Sequence, residues 1–236
     1  MNTYVFILIA IIVLGIPSII LVYRFPKIRF VFQLIFAVLI VLFGYLLYRN
    51  INRPIKFEKE LEIRRTAAIQ RLKDVRTIQV SFKDKYGKYT GSFDTLINFV
   101  KNDSIEISKF IETGPWNQDE MTKEEALKKG ILKKIPAYIM ASDSLWNNPT
   151  YPIERIRYIP FSGDVEFTIG SGELETASKV KVQLFECYAK YSDLLKGMDK
   201  QLVVNYIDER TKYGGFEGLK VGSLEEATNN AGNWEK

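Results

Sequence analysis

Two long apolar runs open the chain, and periodic patterns take over after Tyr48. Tyr4–Tyr23 holds fourteen Val, Ile, Leu or Phe residues and no charge. Phe30–Tyr48 holds fourteen more, with Gln33 as its only strongly polar member. A helix of this length spans about 30 Å, the thickness of a bilayer's hydrocarbon core. Each such residue favours insertion by about 0.3–0.6 kcal/mol, and no charge opposes it. The pattern therefore predicts a transmembrane hairpin over residues 1–50, with helices at about 4–23 and 30–48. A cleaved signal peptide would show a basic start, a shorter apolar stretch and a small-residue cleavage site, which the first run lacks. Pro17 is expected to kink the first helix. Tyr4, Tyr23, Tyr45 and Tyr48 stand near the run ends, where an interfacial aromatic belt places them.

Residues 51–228 read as a soluble α+β domain. Ile51–Pro54 suggests a break, with Pro54 suited to the first turn of a new helix. A long amphipathic helix follows to about Lys85, carrying Phe57, Leu61, Ala68, Leu72, Val75 and Phe82 on one stripe beside Ile69 and Ile78. Arg64, Arg71, Lys73 and Asp74 occupy its other faces. The stripe has two destinations. It can pack on the domain's own sheet, or it can make a coiled-coil or filament contact, since Leu61, Ala68, Val75 and Phe82 recur every seven residues. Arg65 and Gln79 at the complementary positions weaken a long coiled coil. Leu61, Ala68, Leu72, Val75 and Phe82 are the candidate interaction residues.

Further along, Tyr86–Gly91 reads as a turn, and Ser92 caps a helix with Phe93, Leu96, Ile97 and Val100 on its apolar face. Thr122 and Glu125 have capping-box spacing, and Gly130 ends that helix. Residues 103–121 read as an irregular excursion. Strands are expected at Ile135–Met140, Arg155–Pro160, Val165–Ile169, Val180–Leu184, Val203–Ile207 and Leu219–Val221, with Gly170-Ser171-Gly172 as a hairpin loop. Tyr188–Leu195 reads as helix stopped by Gly197. The polar tail, residues 229–236, is expected to fray. Helices first and strands later point to a long N-terminal amphipathic helix packed on an antiparallel sheet.

Charge narrows the function classes. Of the 33 basic residues, Arg24, Lys27 and Arg29 lie between the apolar runs, leaving thirty beyond Tyr48 against all 28 acidic ones. A nucleic-acid binder needs a larger clustered excess, so no nucleic-acid partner is expected. The basic link Arg24–Arg29 argues that it faces the cytoplasm and the domain lies outside; Arg49, Arg53, Lys56, Lys59, Arg64 and Arg65 argue the reverse. An exported domain is the expectation.

Catalytic chemistry has little to work with. Histidine is absent and Cys187 is the single cysteine, which excludes the usual N/S zinc sites and histidine-based triads. Cys187 reads as a small core residue. Glu58, Glu60 and Glu62 alternate with Lys59 and Arg64, as on a solvated, salt-bridged helix face. Asp84, Asp94 and Asp103 lack EF-hand spacing, and the glycines at 214, 215 and 218 form no phosphate-binding loop. Trp116, Trp146 and Trp234 read as packing residues. Neither a cofactor nor a metal is expected.

Arg71–Gln79, then Gly87–Leu96, and a C-terminal stretch from Leu219-Lys220-Val221-Gly222-Ser223 to Asn233-Trp234 resemble an uncharacterised family of Bacteroidota membrane-anchored proteins. That resemblance, patterned over most of residues 53–236, implies a bacterial inner-membrane location and no assigned activity. Residues 58–100 also resemble, more distantly, the first helix and following loop of type IV pilins and pseudopilins. The chain departs from that pattern in having two membrane runs and no prepilin-type cleavage site followed by a glutamate. The expected function is a non-enzymatic, membrane-anchored envelope protein that scaffolds or docks onto a protein partner. A tethered ligand- or signal-sensing domain, with a pocket between helix and sheet, and a self-associating pilin-like subunit are the alternatives.

Overall fold

The computed structural model describes residues 29–117, 121–146, 150–176 and 179–235. The chain divides into two compact units, Met1–Glu58 and Lys59–Lys236. Helix α1, Arg29–Tyr86, is 58 residues long and contributes to both. Among the described residues it is the one helix long and apolar enough to cross a membrane; its apolar window has a mean hydropathy of 2.1, and none of that window is buried. The first apolar run and the basic link lie outside the described residues, so only the second helix of the expected hairpin is described.

The break expected at Ile51–Pro54 is absent, because Pro54 lies inside α1. A proline removes one backbone hydrogen bond and crowds the preceding turn, at about 3 kcal/mol. Helix on both sides, the downstream part held by buried side chains, carries the chain through it.

Within Lys59–Lys236, Leu61, Ala68, Leu72, Val75, Ile78, Gln79 and Phe82 of α1 are buried. Their spacing keeps them on one stripe of a helix with 3.6 residues per turn. Helix α2, Phe93–Asn102, starts at Ser92, whose hydroxyl accepts from the Thr95 N–H, and buries Phe93, Leu96, Phe99 and Val100. Phe82 meets Phe99 edge to face at 5.4 Å. A three-stranded antiparallel sheet has the order β3–β4–β5, with β3 Thr168–Glu175, β4 Lys181–Lys190 and β5 Gly218–Gly222. Cys187 lies opposite Val221 and Ala189 opposite Leu219, so these four share a sheet face with Phe185. All five are buried, and Tyr89 joins the same core through Phe185 at 4.9 Å.

A separate two-stranded sheet pairs β1, Ser104–Glu112, with β2, Leu132–Met140. Between them lies α3, Lys123–Lys128, with the expected Thr122–Glu125 capping box and Gly130 at φ +73°. Two short helices, α4 (Ala141–Leu145) and α5 (Tyr191–Leu194), follow β2 and β4, and α6 covers Lys200–Thr211.

Several expectations are corrected. Residues 104–112 form a strand rather than an irregular excursion, because Ile105, Ile107 and Ile111 find partners on β2. Val203–Ile207 is helical: the Asp199 carboxylate caps the Leu202 N–H, and the cap outweighs the β preference of Val203 and Val204. Arg155–Arg157 lies in a 3₁₀ turn, Ile153–Arg157, after which Tyr158 bridges Glu166. Gly170-Ser171-Gly172 lies inside β3, opposite Glu186, Phe185 and Leu184, and the pairing runs on to Glu175 opposite Lys181. A side chain at Gly170 would press on Leu224 at 3.1 Å, a reason for glycine within this strand. Helix follows Tyr188 only from Tyr191, with Gly197 at φ +83° beyond it.

The tail is tied down instead of frayed. Gly232 bridges Val221, the Asn233 side chain donates to the Gly218 carbonyl at 2.9 Å, and Glu235 pairs with Arg76 at 2.8 Å. The Gly232 N–H and then Arg76 hold the Glu235 carboxyl below its usual range. A carboxyl depressed in the folded state adds stability above its unfolded pKa, and that contribution fades as pH falls towards the folded value. Hydrogen exchange at the Gly232 amide is therefore expected to accelerate as pH falls below about 4.3, relative to core amides. In Glu235→Gln it should be fast at neutral pH and lack this step.

Candidate interaction surface

The five residues expected to form a contact stripe are interior. Ala68, Leu72 and Val75 are 0% exposed, Leu61 9% and Phe82 7%. They hold the domain together and present no outward face, a correction that follows from competition for the same side chains. A stripe that fills its own core cannot also pair with a neighbour.

The polar faces of α1 also turn inward more than their charge suggests. Arg64 Nη1 donates to the carbonyls of Leu194 and Lys196 at 3.2 and 2.9 Å while its Nε pairs with Glu60 at 2.9 Å. Arg71 donates to the Tyr158 carbonyl, and its guanidinium lies 4.5 Å from the Tyr151 ring centre. Tyr151 in turn donates to Asp74 at 2.6 Å. Burial, then the bond to Asp74, pushes the Tyr151 hydroxyl far above its ordinary value, so it stays protonated and acts as a brace. Buried Gln79 bonds both ways to the Thr90 backbone, at 2.6 and 3.2 Å, and fastens the Tyr86–Gly91 turn.

Other chemically suggestive groups are similarly engaged. Cys187 is buried, and burial raises its thiol far above the range of a reactive thiolate. Asp94 pairs with Arg157, and Asp103 with Lys85 at 3.3 Å and the Tyr86 hydroxyl at 2.6 Å. Trp116 donates to the Met121 carbonyl at 3.2 Å, and Trp146 packs edge-on against Tyr151 at 5.2 Å. Among the described residues, no group of three or more acidic or thiol side chains could hold a metal ion.

The available surface is the β1–β2 ribbon. Nine residue pairs, from Ser104↔Met140 to Glu112↔Leu132, run in unbroken register. Ile105, Ile107 and Ile111 share one face with Ile135, Ala137 and Ile139, half-buried except for exposed Ile111. The opposite face carries Met140 and Tyr138, the latter 68% exposed. No third strand flanks the ribbon among the described residues, and Pro136 is tolerated in a strand of this kind. Its far end is closed by α3: the Ile131 N–H bonds to the Ala126 carbonyl, Lys123 lies 3.7 Å from the Phe110 ring centre, and Ala126 and Leu132 are buried. Its near end is tied by Lys85 to the Ser104 carbonyl and by the Ala141 N–H to Asp103. Sequence reading missed it because the strand in 103–121 went unrecognised. The alternation Ser-Ile-Glu-Ile-Ser was the available signal.

Set against protein-family models, curated proteins and solved structures, the chain matches none.

Because the stripe is core, Leu72→Ala is expected to lower stability by about 2–5 kcal/mol without changing the particle mass. Thermal unfolding and light scattering of the full chain in detergent check both. A change of oligomer with little loss of stability would restore the stripe as a contact face.

Proposed function

We propose that the protein is a non-enzymatic, two-pass inner-membrane protein whose exported domain docks onto a protein partner in the cell envelope. The observation that carries the docking reading is the β1–β2 ribbon, with isoleucines along one face and Tyr138 and Met140 on the other. A two-stranded ribbon is marginal by itself in water, and apolar groups on both of its faces suit burial against another protein. The anchor reading is supported by the exposed apolar surface of α1 from Gln33 to Tyr48, a stretch without charge. The basic link Arg24–Arg29 supports export. The non-enzymatic reading is supported by the lack of histidine and by the engagement of Cys187 and Tyr151 in the interior.

Two exposed tyrosines, Tyr138 on the ribbon and Tyr213 away from it at 89% exposure, allow a direct test. Buried Cys187 is expected to stay silent, so Tyr138→Cys and Tyr213→Cys each add one reactive thiol. A maleimide that cannot cross the inner membrane should label Tyr213→Cys in intact cells. Tyr138→Cys should react markedly more slowly there than in purified protein. Equal rates at Tyr138 in cells and after purification would sink the docking reading. Labelling of Tyr213 only after lysis would place the domain in the cytoplasm.

A further inference from the structure

The ribbon has edges as well as faces, and its register fixes which way their backbone groups point. One step beyond either end of the β1–β2 pairing, the Thr113 N–H donates to the Ile131 carbonyl and the Ala141 N–H to the Asp103 carbonyl, each at 2.8 Å. In an antiparallel pair such bonded positions alternate with unbonded ones. Odd-numbered residues of β1 and β2 therefore bond within the ribbon, and even-numbered residues direct their N–H and C=O groups outward. Lys85 reaches the outward carbonyl of Ser104 at 2.9 Å, as this parity requires.

The two edges are not alike. On β2 the central outward position is Pro136, which has no N–H to offer, and neighbouring Lys134 is exposed. That edge is closed to a further strand, as the margins of natural sheets commonly are. On β1 the outward positions are Glu106, Ser108, Phe110 and Glu112, and β1 contains no proline. Their backbone groups find no partner among the described residues. An open edge of this length is a template for another strand.

The strand that complements it is β1 itself. Turned antiparallel about Ser108, a second copy sets Glu106 opposite Phe110 and Ser108 opposite Ser108, so that outward groups meet outward groups and exchange bonds. Ile105 then faces Ile111 and Ile107 faces Lys109, with no like charges opposed. Ser104 falls opposite Glu112, where Lys85, bonded to the Ser104 carbonyl, supplies the countercharge. Sliding the copy by two residues one way opposes Glu106 to Glu112 and Lys109 to Lys109. Sliding it the other way leaves Ile107 on itself as the sole isoleucine pair.

We infer that the β1 edge joins two copies of this chain into a four-stranded antiparallel sheet of order β2–β1–β1–β2. A two-stranded ribbon is marginal in water, and edge-to-edge pairing supplies the strands it lacks. Pro136 bounds the sheet on both outer margins, so the assembly closes at two copies instead of growing. The contact uses the edge and leaves both faces, Tyr138 included, for an envelope partner. It therefore does not rest on the docking reading, and the two fail separately.

The test combines disulfide trapping in native membranes with the mass of the full chain in detergent. Pairing about Ser108 brings the two Ser108 Cα atoms to about 5.5 Å, within the roughly 4.4–6.8 Å that a disulfide spans. Ser108→Cys is expected to give a cross-linked dimer on mild oxidation, and Lys109→Cys, offset in this register, markedly less. Buried Cys187 adds no background. Light scattering should give the protein mass of two chains for the native sequence and of one for Ser108→Pro. The Ser108 N–H points outward, so proline there spares the ladder to β2, and an unchanged circular dichroism spectrum checks that the variant is folded. A one-chain mass for the native sequence, a two-chain mass that persists in Ser108→Pro, or stronger trapping at 109 than at 108 overturns the proposal. So does a monomer whose Ser108→Cys thiol is shielded in cells and reactive after purification, which assigns the edge to a strand of another protein.

Discussion

The burial of a single stripe of α1, from Leu61 to Phe82, is the interaction on which the Lys59–Lys236 unit depends. The sheet face of Phe185, Cys187, Ala189, Leu219 and Val221 is buried in the same unit, and apolar faces of this kind leave water only by packing on other elements. Once the stripe is buried, the flanking polar positions fall within reach of the loops. Arg64, Arg71, Asp74, Arg76 and Gln79 then bond to segments from 11 to 159 residues away in sequence. Each bond contributes modestly, about 0.5–1.5 kcal/mol for a typical pair, but together they tie the turn, the 3₁₀ segment, α5 and the tail to one helix. The same helix carries the apolar segment of the other unit, so one continuous element serves both.

How much of this was legible depended on whether the signal was local. The helix over Phe30–Tyr48 and the buried stripe follow from composition and periodicity along one segment, and the Ser92 cap and the Thr122–Glu125 box from residues within a single turn. Elements defined by distant partners were not legible in this way. Residues 104–112 become a strand only because 132–140 lie beside them, and Gly170–Gly172 stays in β3 only because β4 runs on to Lys190. The segment Val203–Ile207 misled in the other direction, because its β-branched residues outweighed a cap four residues upstream. The tail seemed free because its bonds run to Arg76, Tyr89 and Gly218, positions that composition cannot connect.

The functional surfaces were less legible than the fold for the same reason. The heptad-spaced stripe was the conspicuous candidate, and the core claimed it. The surface left over, the isoleucine ribbon, is assembled from two strands that lie apart in sequence. It offers apolar area of the kind that another protein can cover.

The central claim is that α1 changes environment along its length, from lipid around its upstream part to protein core from Leu61 onward. Single-cysteine spin labels placed one at a time from Gln33 to Phe82, in a Cys187→Ser background in liposomes, measure this residue by residue. The account predicts high oxygen and low water-soluble-reagent accessibility from 33 to 48. It predicts a 3.6-residue alternation beyond Leu61, with minima for both reagents at Ala68, Leu72 and Val75. Water-soluble-reagent access throughout 33–48 would contradict it.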